Sequence, residues 1–366
     1  MSAEARRRST VETAIVVFVR LAIIAAIFGE LWVTGTIHLP NLLHPTIVGS
    51  DPSNYYAAGQ RLNVGHALYG PLQAGDLPVP GYPAIFPAPL LSPPLIAVIW
   101  RPLAALGDGS ITAWWALCIA VVVGAAIGLA VIGDRLTLVG LAIVLALGWP
   151  IALAIQVPYR MPGFQSPLSI AALSGNLNGF ITGLALVVWW AASRRHSRLA
   201  GAAAALATVL KLGPLALGWW LVVRRDWRAV EAFIATTIVL GVVGLVGAGL
   251  DANLAFVRFA LGAGVAPTPL SIPGMLHTWF HLGSRATEST TVIAIVVGFV
   301  VIALTRNQPR LSFLAAILVI LYGSPVVLTG NFVILLAALA PWPVSPEPSP
   351  QPSLRERMDA IRMSLA

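Results

Sequence analysis

RRHSRLAGAAAALATVLKLGPLALGWWLVVRRDWR, residues 194–228, decides the fold. It is strongly basic at both ends, apolar between them, and interrupted once, at Lys211-Leu212-Gly213-Pro214. Basic residues of short loops gather on the cytoplasmic side of a bilayer. Both flanks therefore belong on one side, and the apolar chain must enter the membrane and return. Gly and Pro supply the turn. At 1.5 Å per residue the arms, 200–210 and 212–223, each reach roughly 15–20 Å, about half of the hydrocarbon core or a little more. Lys211, the only lysine of the chain, is thereby placed at the vertex, deep in the membrane.

The rest of the chain agrees. Of 366 residues, 58% are hydrophobic and 10% charged, against about 25% charged in a soluble domain, which excludes a soluble enzyme. The mean hydropathy is +0.85. Blocks such as Leu136 to Val157 do not alternate polar with apolar residues, so a β-barrel is excluded too. A net charge of +8 would suggest nucleic acid in a soluble protein. Here the basic residues sit between apolar runs and act as an orientation signal, so no nucleic-acid partner is expected. The single cysteine, Cys118, permits no intrachain disulfide. Arg6, Arg7 and Arg8 precede an apolar stretch too long for a signal-peptide core, which reads as an uncleaved anchor with a cytoplasmic N-terminus.

The predicted architecture is an all-α polytopic membrane protein of about ten spans: 13–34, 111–132, 136–157, 176–192, 200–210, 212–223, 229–250, 289–305, 311–326 and 331–342. An eleventh apolar stretch, 84–106, holds Pro83, Pro87, Pro89, Pro93, Pro94 and Pro102 in or beside it and cannot be one continuous helix. If it dips into the outer leaflet and returns, all six arginine clusters (Arg6/Arg7/Arg8, Arg135, Arg194/Arg195/Arg198, Arg224/Arg225/Arg228, Arg306/Arg310 and Arg355/Arg357/Arg362) face the cytoplasm. If it crosses, the middle ones do not. The re-entrant reading puts three long connections outside: 35–110, 158–175 and 251–288. Residues 1–342 form one membrane domain, and 343–366 a proline-rich linker with a short basic amphipathic tail on the inner leaflet.

The first outer connection contains GSDPSNYYAAGQRLNVGHALYG, residues 49–70. Ser50-Asp51-Pro52 is a helix start. The following pattern is amphipathic, with Tyr55, Ala58, Leu62 and Leu68 toward lipid or protein and Asn54, Gln60 and Arg61 toward water. Asp51 is one of four acids the topology puts in the outer loops, with Asp76, Asp108 and Asp251, apart from Glu288 at a span edge. It is either a plain N-cap or a functional carboxylate. Tyr55, Tyr56 and Tyr69 either stack on a sugar or prenyl face or belong to the interfacial belt. Trp114, Trp115, Trp189, Trp190, Trp219 and Trp220 lie near span ends and read as membrane anchors. His277 and His281, four apart, lack a third ligand, and no acidic cluster is present, so neither a metal nor any other cofactor is expected.

The order of these motifs resembles the GT-C glycosyltransferases, and within them glycosyltransferase family 87, the polyprenol-phosphate-mannose-dependent mannosyltransferases. The residues that carry the resemblance are Asp51 with Tyr55-Tyr56-Ala57-Ala58, Leu68-Tyr69-Gly70, the YPAIFPAPL stretch from Tyr82, Gly175-Asn176-Leu177-Asn178, Ala200-Gly201, Lys211-Leu212-Gly213-Pro214 and Arg224-Arg225-Asp226-Trp227-Arg228. Leu270 to Gly274 is similar in part to a further motif, and Ser324-Pro325 to another. The paired histidines that follow the latter in the family are absent here, with Gly330-Asn331 near their place.

The resemblance implies a multi-pass plasma-membrane enzyme with both termini in the cytoplasm and its active site on the outer face. It implies transfer of mannose, with inversion, from a polyprenyl-phosphate donor to a cell-envelope glycolipid or glycan. A carboxylate in reach of the acceptor hydroxyl takes its proton, and Asp51 is the candidate. Positive charge stabilises the leaving phosphate, with the outer-side Arg61, Arg160, Arg258 and Arg285, Arg101 on the dipping segment, and Lys211 from below as candidates. Asn176, Asn178, Ser271 and His277 complete the substrate-binding set. Lys211 reads equally as a hairpin clamp on backbone carbonyls, Asn176 and Asn178 as helix caps, and His277 as a surface residue. Three other readings are an arabinosyltransferase of the same family, a lipid or solute transporter, and an inactive scaffold. Broken helices at corresponding places in two halves would favour a transporter, and the breaks here do not correspond.

Overall fold

The computed structural model describes residues 3–43, 51–69, 90, 92–147, 166–262, 268, 270–281, 284–324 and 326–340. Among them the regular structure is helical throughout. In chain order the helices are α1 (Ala3–Leu43), α2 (Asp51–Asn63), α3 (Leu95–Ala105), α4 (Gly109–Ile132), α5 (Arg135–Ala146), α6 (Pro167–Ser174), α7 (Leu177–Ser193), α8 (Ser197–Leu210), α9 (Leu215–Val223), α10 (Trp227–Gly262), α11 (Ile272–Phe280), α12 (Ser284–Leu304), α13 (Pro309–Tyr322), a 3-10 turn η1 (Thr329–Ile334) and α14 (Leu335–Ala338).

The all-α membrane class stands. Three described segments are long and apolar enough to cross a bilayer: Glu12–Trp32, Gly109–Ile132 and Trp227–Arg258. A fourth span results if α6 and α7, bent by 113°, count as one. The expected ten are therefore not all present as full-length helices. α8 has 14 residues and α9 has 9, shorter than the roughly 20 that a full crossing takes. The expected span 331–342 is η1 followed by one turn of α14, with Phe332, Val333, Ile334, Leu336 and Ala337 buried. Of the expected span 136–157, α5 covers the first part, and 148–157 lie outside the described residues. So do Arg160, residues 70–89 and the tail 343–366.

The expected hairpin is formed. Lys211 leaves α8 in extended conformation (φ −156°, ψ 131°), and α9 begins at Leu215. The arms return to one end, where Ser197 Oγ donates to Asp226 Oδ2 at 2.9 Å. Two matching turns stand there. The turn after α7 puts Arg195 at φ 63°, and the turn after α9 puts Arg225 at φ 58°. In each, a backbone N–H reaches back five residues, His196 to Ala191 O at 2.8 Å and Asp226 to Leu221 O at 3.2 Å. This pattern closes a helix C-terminus by satisfying its last carbonyls. The same end collects other basic groups. Arg310 pairs with Asp134 at 2.8 Å and Arg135 with Glu12 at 3.1 Å. Arg20 Nη2 donates to Gly133 O at 3.0 Å. Trp220 Nε1 donates to Ser312 Oγ at 3.0 Å, which ties α9 to the start of α13.

Four expectations are corrected. α2 stops at Asn63 instead of continuing to Leu68. Its polar side is not turned to water: Asn54 and Arg61 are 5% and 3% exposed, and α3 and α4 pack against the helix. The tryptophans are mostly not anchors. Trp115, Trp189 and Trp220 are buried and Trp114 half-buried, while Trp190 and Trp219 are exposed. The indole N–H groups of Trp114, Trp115 and Trp220 find internal partners, which is how a large amphipathic ring is accommodated inside. Finally, the chain after residue 250 is not all loop. α10 breaks at Gly249 (φ 83°, ψ 163°) and resumes to Gly262. Asn253 Nδ2 donates to Gly249 O at 2.7 Å and fastens the break.

Candidate active site

The site is built where α2, the α6–α7 bend and the hairpin vertex meet, at the end of the molecule opposite the arginine turns. The bend comes first. Ser166 caps α6, its Oγ accepting from Ser169 N at 3.3 Å. Gly175 ends that helix in the left-handed region (φ 63°, ψ 21°). Asn176 then opens α7, its Oδ1 accepting from Asn178 N at 2.9 Å. The carbonyls freed at the bend are taken by two indoles, Trp114 Nε1 on Gly175 O at 3.0 Å and Trp115 Nε1 on Leu173 O at 2.7 Å. A Cβ at Gly175 would overlap the Pro52 ring, so the bend lies directly against the first turn of α2.

That first turn carries Asp51. It is half-buried, and burial raises its carboxyl from the ordinary 3.8 to about 6, against the opposing pull of the Lys211 ammonium. Lys211, from the hairpin vertex, is close enough for its charge to act on Asp51, and its Nζ donates to Asn178 Oδ1 at 2.9 Å. Asn178 is only 7% exposed. Its Nδ2 donates to Asn331 Oδ1 at 2.8 Å. Asn331 belongs to η1, and its own Nδ2 donates to Val326 O at 3.3 Å. A charged acid, an ammonium and two amides thus converge from four separate parts of the chain.

Tyr55 forms the wall behind Asp51. Its hydroxyl is hydrogen-bonded to the Leu177 backbone and to Ser92, and burial beside the Asp51 charge holds its proton on firmly. Its ring lies 6.2 Å from both Trp100 and Trp114, and Trp114 lies 4.8 Å from Phe180. Tyr56 accepts from Gln60 Nε2 at 2.8 Å and meets the Trp100 ring edge-on. Both tyrosines are turned into the protein.

The other expected residues sit further out. Tyr69 Oη donates to Ser92 O at 2.6 Å, and its ring lies 6.0 Å from Phe256. Arg61 is buried in the last turn of α2. Ser271 caps α11, its Oγ accepting from Gly274 N at 3.0 Å, and His277 is exposed in the last turn of that helix. The structure therefore brings together Asp51, Tyr55, Asn176, Asn178 and Lys211 and leaves Tyr69, Ser271 and His277 outside that group. Arg101, on α3, is a clamp: it pairs with Asn63 Oδ1 at 3.1 Å and Gly247 O at 3.0 Å. Asn331 joins the site without having been singled out from its residue type. The absence of the family's histidines near it was the only sequence mark.

The described residues thus form a helical protein with segments apolar enough to cross a membrane, in which a raised carboxyl feels the charge of an ammonium. The model of glycosyltransferase family 87 matches residues 91–330, well over half of the chain, and the protein belongs to that family. It is a membrane glycosyltransferase by family. The matched region contains Asn176, Asn178, Lys211, Ser271 and His277, while α2 with Asp51 precedes it. No curated protein and no solved structure matches the chain.

Proposed function

We propose that this protein transfers mannose from a polyprenyl-phosphate donor to a glycolipid or glycan acceptor of the cell envelope, with inversion, at the outer face of the plasma membrane. The acceptor hydroxyl oxygen attacks the anomeric carbon. The bond from that carbon to the phosphate oxygen breaks, and the lipid phosphate leaves with the electron pair. Asp51 takes the hydroxyl proton, a task suited to a carboxyl whose proton affinity lies near the working pH. Lys211 neutralises charge growing on the phosphate. One carboxylate suffices, because inversion needs no covalent sugar–enzyme intermediate.

The observation that supports this reading best is the meeting of Asp51 with the only lysine at the end of the molecule away from the arginine turns. Arginine-rich turns belong on the cytoplasmic side. A donor anchored by its lipid tail then meets the carboxylate at the outer leaflet, and both termini lie inside. The test is direct. Membranes holding the protein are incubated with labelled polyprenyl-phosphate-mannose, and the glycolipids formed are weighed by mass spectrometry. A product heavier by one hexose supports the reading. Transfer only from the arabinose donor would change the sugar, and transfer from neither donor would remove the proposal.

A further inference from the structure

The amide of Asn331 does not touch Asp51 or Lys211, yet it fixes which atom of Asn178 faces the lysine. An asparagine side chain has one end that accepts and one that donates. Asn331 spends its Nδ2 on Val326 O at 3.3 Å, so its Oδ1 is the end left to face Asn178. Asn178 must meet that oxygen with its Nδ2, at 2.8 Å. Its Oδ1 is then the end turned toward Lys211, 2.9 Å from Nζ. The direction of the whole chain is set at Val326 and carried to the ammonium.

The anchor is itself firmly placed. Val327 N donates to Thr268 Oγ1 at 2.8 Å, and Thr268 Oγ1 donates to Val327 O at 2.7 Å. Asn331 N donates to Leu328 O at 2.9 Å, which shapes the 3-10 turn. At Gly330 a Cβ would lie 3.4 Å from Asn176 Nδ2, so η1 sits against the start of α7. A carbonyl aimed at an ammonium favours the charged form and pins its direction. An amide turned the other way would present N–H to N–H.

We propose that Asn331 is a positioning residue for Lys211: through Asn178 it holds a carbonyl acceptor against the ammonium and so keeps the charge beside Asp51, where the leaving phosphate arrives. The role of that charge in transfer rests on the function proposed above. The positioning itself does not, and it is measured separately.

Because Lys211 is the only lysine, its reaction with a water-soluble acetylating ester is read on one peptide without interference, the N-terminal amine being resolved by mapping. Purified full-length protein is treated at pH 8 as wild type, Asn331→Leu and Asn331→Asp. Asn331→Leu removes the acceptor and lets the Asn178 amide turn. Acetylation at Lys211 is expected to rise about tenfold, the scale of one lost hydrogen bond to a charged group. Asn331→Asp retains an acceptor toward Asn178 Nδ2 and is expected to keep the rate within about twofold of wild type. Equal rates in wild type and Asn331→Leu, or equal acceleration by both substitutions, overturns the proposal.

In the transfer assay, Asn331→Leu is expected to lower kcat/KM for the donor about tenfold in the wild-type background and to add nothing when Lys211 is already alanine. Effects that add in full also overturn it. A wild-type protein that transfers no sugar defeats the proposed function alone, since the acetylation comparison still decides the positioning.

Discussion

A carboxylate acts as a base when its proton affinity lies close to the pH at which it works, and Asp51, raised to about 6, meets that condition. The sign of the shift has two consequences. The folded protein binds the Asp51 proton more tightly than the unfolded chain does. The stability this contributes is complete below the ordinary 3.8 and is lost as pH rises through about 6. Above that pH a buried charge is carried at a cost. Asp51→Asn is therefore expected to leave the melting temperature at pH 8 unchanged or raised while lowering kcat by roughly 10²–10⁴-fold. In the wild type, kcat/KM should fall on the acid side with a midpoint near 6. A lowered melting temperature together with retained turnover would make Asp51 a structural cap. Lys211→Ala should lower kcat/KM for the donor by about 10²–10³-fold, as loss of one charge stabiliser does. Unchanged donor kinetics would leave Lys211 a clamp. Both residues were legible in the sequence because charge is rare in this chain and each stood out against apolar neighbours. Asn331 was not. Its partner Asn178 is 153 positions away, and a neutral amide carries no signal until the chain is folded.

At the scale of elements, the bend between α6 and α7 governs the site, since it delivers Asn176 and Asn178 and seats the first turn of α2. Gly175 meets two demands there, a left-handed backbone and contact with Pro52 and with Trp115 Cδ1, which lies 3.1 Å from a Cβ built on the glycine. Gly175→Ala is expected to cost at least about 2 kcal/mol, one part from the left-handed conformation and one from overpacking. Thermal unfolding reads the cost. The same variant should raise KM for the donor, because α2 must move. The start of α7 was legible as Gly-Asn before an apolar run, but the bend into it was not. Nor was what surrounds it. Aromatic residues near span ends satisfy two physical conditions equally well, an interfacial belt and an internal seat with a carbonyl within reach of the indole N–H. Trp114 and Trp115 take the second because α6 ends there with free carbonyls. α2 misled for a related reason. Its polar residues suggested a water-facing side, but Asn54 and Arg61 are buried by the helices packed against it.

The whole molecule has two unlike ends, and membrane orientation follows from which end carries the arginines. α4 begins beside the site, where Trp114 reaches Gly175, and ends at Gly133 beside Arg20, Arg135 and Arg310. α7 likewise runs from Asn176 at the site to the turn holding Arg194 and Arg195, and α8 runs back from that turn to Lys211. α10 starts at Trp227, beside the second arginine turn, and reaches Gly247, the partner of Arg101. α4, α7 and α8 therefore separate the same two sets of residues. If short-loop charge decides orientation, the arginine set lies in the cytoplasm and the carboxylate set is expected to face out. Single cysteines test this in whole cells, with the buried Cys118 removed as background. Gly109→Cys, at the site end of α4, is expected to react with an impermeant maleimide from outside. Arg198→Cys, in the first turn of α8, is expected to react only after lysis. The reverse pattern would put Asp51 in the cytoplasm, where a donor in the outer leaflet cannot reach it.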